Sequence, residues 1–468
     1  MPQSLKITAA NVDPALLDLP WEVPLEEWPE DLLAALPRGI SRHIVRFVNL
    51  GGRVIAVKEI GESVAHHEYE VLWELARMGA PSVLPAAVIT GRKDANGEEL
   101  NAVLVTEHLQ FSLPYRALFS RHVSPDTVAR LLDALAVLLV RLHLLGLYWG
   151  DVSLSNTLFR RDAGAYSAYL VDAETGELRP KLTRGQREYD LDLARTNIIG
   201  ELMDLQAGGF LEEAEDAIAI GDRLVERYHQ LWQELTAPER IPSNERWRVQ
   251  ERIDRLRELG FSVGELTMDS EPDGDLFIIQ PKVVDAGHHH RQIMRLTGID
   301  AEELQARRML DDLEQYRAVH GLMNQSLEVV AHMWMINVFE PIVRAVPPEL
   351  SGKLDPPQIF HEVLEHRWYM AQERGQDVPM DEVIASYLEK VLPTKRDEAV
   401  LLSGPDDEVL AGYADLVDEG YDEDPVEEEI DLDEEPLSAL EVTPWPPWDR
   451  EESEQEPTAS QEGTTESE

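Results

Sequence analysis

The stretch GLYWGDVSLSNTLF, Gly146–Phe159, decides the fold of this 468-residue chain. It follows a long leucine-rich run and places Asp151 and Asn156 five positions apart in an otherwise apolar setting. An Asp and an Asn at this spacing are also common in an ordinary turn after a helix. Whether Asp151 and Asn156 form a turn or an active site therefore has to be judged from residues elsewhere in the chain.

The sequence before this loop predicts the order strand, strand, helix, strand, strand and long helix. Two β-branched segments, 43–50 and 53–60, flank a Gly-Gly pair, which predicts a β-hairpin. Residues 63–80 carry apolar side chains at helical spacing. A second hairpin is predicted around an Asn-Gly pair, and a helix is predicted over about 125–145.

Phosphoryl transfer from a nucleotide requires a cation for the phosphates, a carboxylate for the acceptor hydroxyl and oxygen ligands for Mg²⁺. The chain contains these groups in a consistent order. Lys58 ends the strand VIAVK, Glu68 lies in the next helix and Asp172 closes the strand AYLV. Each of these residues alone fits a turn or a solvated surface. Their order, together with the loop of Asp151 and Asn156, favours a kinase-type site.

On these residues, about 38–210 resemble a protein-kinase-like domain of the type found in lipopolysaccharide kinases and small-molecule phosphotransferases. GDVSLSN is similar to the catalytic loop, and VDAET occupies the place of the Asp-Phe-Gly motif. With LPRGISRH and GHHHRQIMRLTGID, the whole chain resembles an actinobacterial family with a C-terminal domain of unknown function 4032. The resemblance implies no known substrate.

The resemblance implies an α+β fold of the two-lobed protein-kinase-like type. A small antiparallel sheet with a helix comes first, and a helical lobe follows. An additional, mainly helical C-terminal module and a disordered acidic tail complete the chain. The expected parts are an N-terminal arm (1–37), the kinase-like domain (38–210), the mainly helical module with a small β-hairpin (211–395) and the tail (396–468).

The resemblance also implies roles for single residues. Asp151 matches the catalytic base, and Asn156 and Asp172 match the two ligands of Mg²⁺. Lys58 matches the lysine that pairs with the phosphates of ATP, and Glu68 matches its partner. Glu70 is an alternative partner that the sequence leaves open. The adenine is expected to contact backbone groups of four residues at the end of the second predicted hairpin, namely Thr106, Glu107, His108 and Leu109.

Three departures from the kinase pattern bear on the function. The chain has no Gly-x-Gly-x-x-Gly, and the nearest candidate for a phosphate-covering loop contains Gly39 and Ser41. Trp149 stands where the catalytic loop usually has a His, and Ser153 stands where protein kinases keep a Lys. We therefore expect an ATP-dependent phosphotransferase that acts on a small molecule or sugar hydroxyl. The alternative is a catalytically inactive nucleotide-binding pseudokinase with a regulatory or scaffold role.

Composition excludes several other functions. The net charge is −48, and residues 404–468 contain 25 Asp and Glu against one Arg, so a nucleic-acid partner is not expected. The chain has no cysteine, which excludes disulfides and thiolate chemistry. The run Leu131–Trp149 carries Asp133, Arg141 and His143, so a membrane span is not expected. A cytoplasmic location and a protein partner for the module or the tail are expectations.

A basic segment, AGHHHR, stands out in this acidic chain. His288, His289, His290 and Arg291 form a candidate anion site at a helix N-terminus, although a plain helix start fits as well. The segment that follows could form a helix-turn-helix, but the charge favours a simple helix pair. Asp300 with Glu303 predicts a capping box for the second helix.

Overall fold

The computed structural model describes residues 5–10, 13–34, 43–51, 53–119, 125–211, 216–242, 244–245, 247–270 and 276–399. Gly39 and Ser41, predicted to cover the phosphates, lie outside the described residues. The predicted acidic tail lies outside them from residue 400 onward.

The first part of the chain forms a five-stranded antiparallel sheet with one helix. Its strands are β1 (Lys6–Thr8), β2 (Ile44–Leu50), β3 (Arg53–Ile60), β4 (Pro85–Thr90) and β5 (Ala102–Glu107), and its helix is α1 (Glu62–Arg77). The strands lie in the order β1-β4-β5-β3-β2. The two predicted hairpins are present, because β2 pairs with β3 and β4 pairs with β5.

Side chains alternate between the two faces of this sheet along each strand, and both faces are buried. On β5, Val103 and Val105 face a core that contains Trp21 and Trp28 of the N-terminal segment. The two indole rings meet edge to face at 5.3 Å. Leu104 faces the opposite core, which includes α1 and the helical part of the chain. Packing on both faces fixes β3 and therefore the backbone at Lys58.

The part that follows is mainly helical. Its elements are β6 (Ser112–Pro114), α2 (Tyr115–Phe119), α3 (Pro125–Leu145), β7 (Leu147–Tyr148), β8 (Thr157–Asp162), β9 (Ala165–Leu170), β10 (Glu177–Leu178), α4 (Arg184–Ala207) and α5 (Ala217–Thr236). The long helix α3 is buried along much of its length in the core shared with α1, α4 and α5. A small sheet and helix followed by a helical lobe confirm the predicted fold class.

The turn from α3 into the catalytic-type loop depends on Gly146. Its φ of +89° lies in the region that favours glycine. A Cβ at this position would lie 2.0 Å from the carbonyl oxygen of Arg179. Gly146 therefore brings β7 against β10 and directs the chain towards Asp151.

The last part contains a three-stranded sheet and a helical module. The elements are β11 (Glu239–Pro242), α6 (Trp247–Glu258), β12 (Phe261–Ser270), β13 (Leu276–Ala286), α7 (His288–Thr297), α8 (Glu303–Val319), α9 (Leu327–Trp334), a π-helical turn (Met335–Phe339), α10 (Glu340–Arg344), α11 (Pro356–Arg374) and α12 (Met380–Lys390). A separate apolar core runs from Ile293 to Leu392, whereas Leu256 and Phe261 belong to the core of the preceding part. The division of domains at residue 210 stays a prediction.

The capping box predicted for α8 lies two residues later than expected. The amide of Glu302 donates to Gln305 Oε1 at 3.0 Å. The amide of Gln305 donates to Asp162 Oδ1 at 2.8 Å. An aspartate of β8 thus caps this helix from outside, a contact that no local sequence pattern reveals. Within the described ranges, every helix is too short or too polar to cross a membrane.

Candidate nucleotide and metal site

Lys58 is the centre of a cluster of carboxylates. Its Nζ lies 2.7 Å from Asp172 Oδ2, 3.1 Å from Glu68 Oε2 and 3.4 Å from Glu174 Oε2. These residues come from β3, α1 and the segment after β9. The sheet and helix therefore bring together three of the residues that the sequence analysis selected. They add Glu174, which the sequence analysis did not assign.

The structure shows which glutamate of α1 pairs with Lys58. Glu68 is 1% exposed, and its second oxygen accepts the amide of Ala173 at 3.3 Å. Glu70 lies on the exposed side of α1. Burial and the charge of Asp172 raise the pKa of Glu68 to about 7, although Lys58 acts in the opposite direction. Burial lowers the pKa of Lys58, but the charges of Glu68 and Asp172 outweigh burial and raise it.

The loop of Asp151 is closed by its own asparagine. Asn156 Nδ2 donates to the carbonyl and to Oδ2 of Asp151, both at 3.0 Å. Asn197 of α4 donates to the carbonyl of Val152 at 3.1 Å. Ser153 is buried, and its Oγ accepts the amide of Asn156 at 3.1 Å. Ser153 thus fixes the turn between Asp151 and Asn156.

Asp190 of α4 holds the loop from beneath, and the sequence analysis did not assign it. Its carboxylate accepts the amides of Trp149 and Gly150, both at 2.8 Å. His143 Nε2 lies 3.0 Å from the same carboxylate, and its Nδ1 lies 2.7 Å from the hydroxyl of Tyr228. Asp190 and His143 are almost fully buried. A polar residue in the apolar run of α3, namely His143, was the one sequence signal for this network.

Trp149 links the two halves of the site. Its ring is fully buried, and its Nε1 donates to the carbonyl of Asp172 at 2.8 Å. Its own carbonyl accepts the hydroxyl of Thr175 at 2.7 Å. The departure from the usual His therefore has a structural role, since Trp149 fixes the backbone of Asp172 relative to that of Asp151.

The two predicted metal ligands lie at the same end of one β-hairpin. Asn156 directly precedes β8, and one residue, Val171, separates Asp172 from β9. The amide of Val171 donates to the carbonyl of Asn156 at 3.0 Å. In the part of the chain that the structure describes, no three acidic or His side chains are grouped to hold a metal. Mg²⁺ commonly takes only one or two protein oxygens and completes its shell with water and phosphate. An Asp and an Asn at one hairpin end fit that donor set.

The segment predicted to contact adenine spans the end of β5 and the two residues after it. The amide of Glu107 donates to the carbonyl of Leu84 at 2.8 Å, and the amide of His108 donates to that of Val54 at 3.1 Å. Two of the four expected amides are thus used within the protein. Adenine contact by Thr106 to Leu109 stays a prediction.

The candidate anion site at His288–Arg291 lies away from this cluster, at the start of α7. The carboxylate of Glu303 accepts the amides of His289 and His290 at 2.8 and 3.1 Å. His289 Nδ1 contacts the same carboxylate at 2.7 Å. A side chain of the protein therefore occupies this helix N-terminus, and an anion there stays a prediction.

Comparison with known proteins agrees with the arrangement. Residues 53–202 match the model of the lipopolysaccharide kinase (Kdo/WaaP) family, and residues 230–392 match domain of unknown function 4032. Both predicted resemblances are confirmed. The kinase-type match covers Lys58, Glu68, Asp151, Asn156 and Asp172.

Solved structures similar to this kinase-type chain include two with low identity. A structure of WaaP in complex with acyl carrier protein is 15% identical to this chain, with a TM-score of 0.33. The match covers 54% of this chain and 99% of that one. A BubR1 kinase domain is 13% identical, covers 32% of this chain and 49% of its own, and has a TM-score of 0.26. A search of curated proteins found no match.

Proposed function

We propose that this protein transfers the γ-phosphoryl group of ATP, with Mg²⁺, to a hydroxyl of a small molecule or sugar. The observation that carries the proposal is the position of Lys58, within 3.1 Å of both Glu68 and Asp172. Glu68 follows Lys58 by ten positions and Asp172 follows it by 114, and phosphoryl transfer needs the chemistry that the three residues combine.

In this proposal Asn156 and Asp172 hold Mg²⁺ through one amide oxygen and one carboxylate. When bound there, the ion neutralises phosphate charge and orients the transferring group. Lys58 then pairs with phosphate oxygens while Glu68 keeps its ammonium in place. Because Asp172 and Glu174 are also negative, a nucleotide without a divalent cation is expected to be repelled from this site.

Asp151 orients the acceptor hydroxyl and takes its proton as the phosphoryl group is transferred. Asn156 fixes one oxygen of this carboxylate, and the Asp190 network fixes the backbone next to it. The acceptor is placed by positioning rather than by a covalent intermediate, as is usual for phosphoryl transfer.

A cavity beside the loop supports a small acceptor. Its volume is about 330 Å³, and Tyr148, Glu177, Arg179 and Tyr189 contribute to its wall. Tyr148 stands three positions before Asp151, and its ring stacks on Tyr189 at 6.5 Å. A Cβ on Gly150 would lie 3.2 Å from the Tyr148 ring, so the cavity wall adjoins the loop directly. Stacked rings beside charged groups suit a polyhydroxy molecule.

The test combines nucleotide binding with turnover. Thermal stability with and without ATP and Mg²⁺ is measured for the wild type, Asp172→Ala and Asp151→Asn, and ATP turnover is assayed with monosaccharides, polyols and hydroxyl-bearing peptides. Asp172→Ala is expected to abolish the Mg²⁺-dependent shift. Asp151→Asn is expected to keep the shift and to lower turnover by about 10²- to 10⁴-fold.

A matched control is available on α1. Glu68→Gln should weaken the nucleotide-dependent shift, whereas Glu70→Gln should leave it unchanged because Glu70 is exposed. Absence of both a shift and turnover in every form would refute the phosphotransferase and the nucleotide site together.

The second candidate is a pseudokinase that binds a nucleotide without transferring phosphate. It is favoured by Glu174, which adds a third carboxylate around Lys58 and also contacts His43 at 3.0 Å. Mg²⁺–ATP binding without turnover over the whole acceptor panel would support it. The predicted cytoplasmic location and the protein partner stay predictions under either function.

A further inference from the structure

A cavity of about 320 Å³ lies between the β8–β9 hairpin and the C-terminal helices. Arg161, Gly164 and Tyr166 of the hairpin form one wall. Residues of α3, α11 and α12, with Lys395, form the others. None of the residues that line it belongs to the Lys58 cluster or to the Asp151 loop.

Two guanidinium groups at this cavity keep hydrogen-bonding capacity. Arg161 donates through Nε to Glu398 at 2.8 Å. Its two Nη groups make no hydrogen bond with the described residues. Arg130 donates through Nη1 to the carbonyl of Gly164 at 2.6 Å. Planar guanidinium forks with open N–H groups match the oxygens of carboxylates and phosphates.

The acidic side chains at the cavity oppose an anion only weakly. Glu362 accepts from Gln358 at 3.2 Å, from Tyr387 at 3.0 Å and from Lys395 at 2.8 Å, so donors of the protein surround its carboxylate. Glu365 lies on the exposed side of α11. Arg161 pairs with the buried Glu398 at 2.8 Å and Lys395 pairs with Glu362, so Arg130 is the cation of this wall that makes no ion pair with the described residues.

His361 brings a buried polar ring to the wall of the same cavity. It lines the cavity, is only 5% exposed, and its Nδ1 is buried without a hydrogen-bond partner among the described residues. Burial lowers the pKa of His361 to about 4, so the ring is neutral at pH 7. A buried polar atom without a partner destabilises a fold, and because this nitrogen is closed to solvent, a ligand in the cavity would contact other atoms of the ring.

We propose that this cavity binds a small organic anion, whose phosphate or carboxylate oxygens pair with Arg130 and Arg161 and which packs against His361. Its volume suits a molecule of about the size of a sugar phosphate. The site is separate from the proposed phosphoryl-transfer site and does not depend on it.

The cavity contacts the β8–β9 hairpin, which carries the candidate metal ligands at its other end. Arg161 and Gly164 belong to the β8–β9 hairpin, whose ends carry Asn156 and Asp172. A ligand that contacts the far end of this hairpin should slow its local opening. Amide hydrogen exchange of residues 157–170 reports this effect without any assay of phosphoryl transfer.

The experiment measures thermal stability and calorimetric affinity of the full chain with three probes: inorganic phosphate, glucose 6-phosphate and citrate. Two variants disturb the cavity, and Arg295→Gln on the exposed face of α7 serves as the control. Arg130→Gln should weaken binding about tenfold or more, because it removes a charged donor. Binding of citrate alone would identify a carboxylate ligand, and binding of the two phosphate probes alone would identify a phosphate ligand.

His361→Phe separates a binding role from a structural one. It keeps the ring and removes the buried nitrogen, so the ligand-free protein should be as stable as the wild type or more stable, while affinity for the anion falls. A wild type that binds none of the three probes at millimolar concentration would overturn the proposal. So would an affinity that is the same in the wild type, Arg130→Gln and His361→Phe, because the anion would then bind elsewhere.

Discussion

Asp190 beneath the catalytic-type loop and Asp162 in the β8–β9 hairpin are both buried aspartates, but their surroundings differ. Asp190 accepts two loop amides and contacts His143. Asp162 accepts the amide of Gln305 and the hydroxyl of Ser167, but it also lies close to Glu302. Burial and the charge of Glu302 raise the pKa of Asp162 to about 8.

The difference separates two ways of holding a functional segment. The loop of Asp151 is fixed by an acid whose oxygens face donors. The hairpin that carries the candidate metal ligands is fixed to the C-terminal helices by a set of acids and bases: Arg160 pairs with Glu302 at 2.9 Å, and Tyr169 donates to Glu302 at 2.7 Å. The second region contains an acid with a pKa of about 8, Asp162, so its contribution to stability should depend on pH near neutrality.

The largest effect is expected from Asp190→Ala. It leaves the amides of Trp149 and Gly150 and the ring of His143 buried without their acceptor, so the free energy of unfolding should fall by about 3 kcal/mol or more. Urea unfolding measures it. Asp192→Ala on the exposed side of the same helix should change stability little. Equal losses in the two variants would show that Asp190 does not hold the loop.

An effect that is smaller at about pH 5 and grows with pH is expected from Asp162→Asn. The folded pKa of about 8 exceeds the unfolded value of about 3.9, so the folded state binds more protons between these limits. The contribution of Asp162 to stability should therefore be largest at low pH and decline as pH rises towards 8.

The amide in Asp162→Asn cannot ionise and can keep both hydrogen bonds. The advantage of the variant over the wild type should grow with pH, by on the order of 1 kcal/mol per unit. Urea unfolding at several pH values tests it. If the two proteins differed in free energy of unfolding by the same amount from about pH 5 to about pH 9, a protonated Asp162 would be contradicted.

The smallest effects are expected from one substitution made in both regions. Tyr169→Phe removes a hydroxyl that donates to the charged Glu302, and Tyr228→Phe removes one that contacts His143. Loss of a bond to a charged acceptor should cost about 1.5 kcal/mol or more, and loss of the other about 1 kcal/mol. The reverse order, measured by thermal unfolding, would mean that the network beneath the loop is the more tightly coupled of the two.

Much of the candidate site could be predicted because its residues follow elements with clear periodicity. Lys58 ends a β-branched segment, and Asp172 ends another, so the sequence placed both before any contact was known. The choice of Glu68 over Glu70 could not be made, since both lie on one helix and only the packing of α1 on the sheet buries one of them. Asp190 and Glu174 were missed because their roles depend on neighbours that are distant in sequence.

The order of strands and helices, the kinase-type region and the choice of candidate site residues were determined by the sequence itself, because apolar periodicity and motif spacing are local. The tertiary structure alone decided the partners: the carboxylates around Lys58, the network under Asp151, and the contact of the hairpin with the C-terminal helices. Those contacts join segments up to 237 positions apart, as between Arg161 and Glu398. Their strength depends on burial and on neighbouring charge, which arise only when the chain is folded.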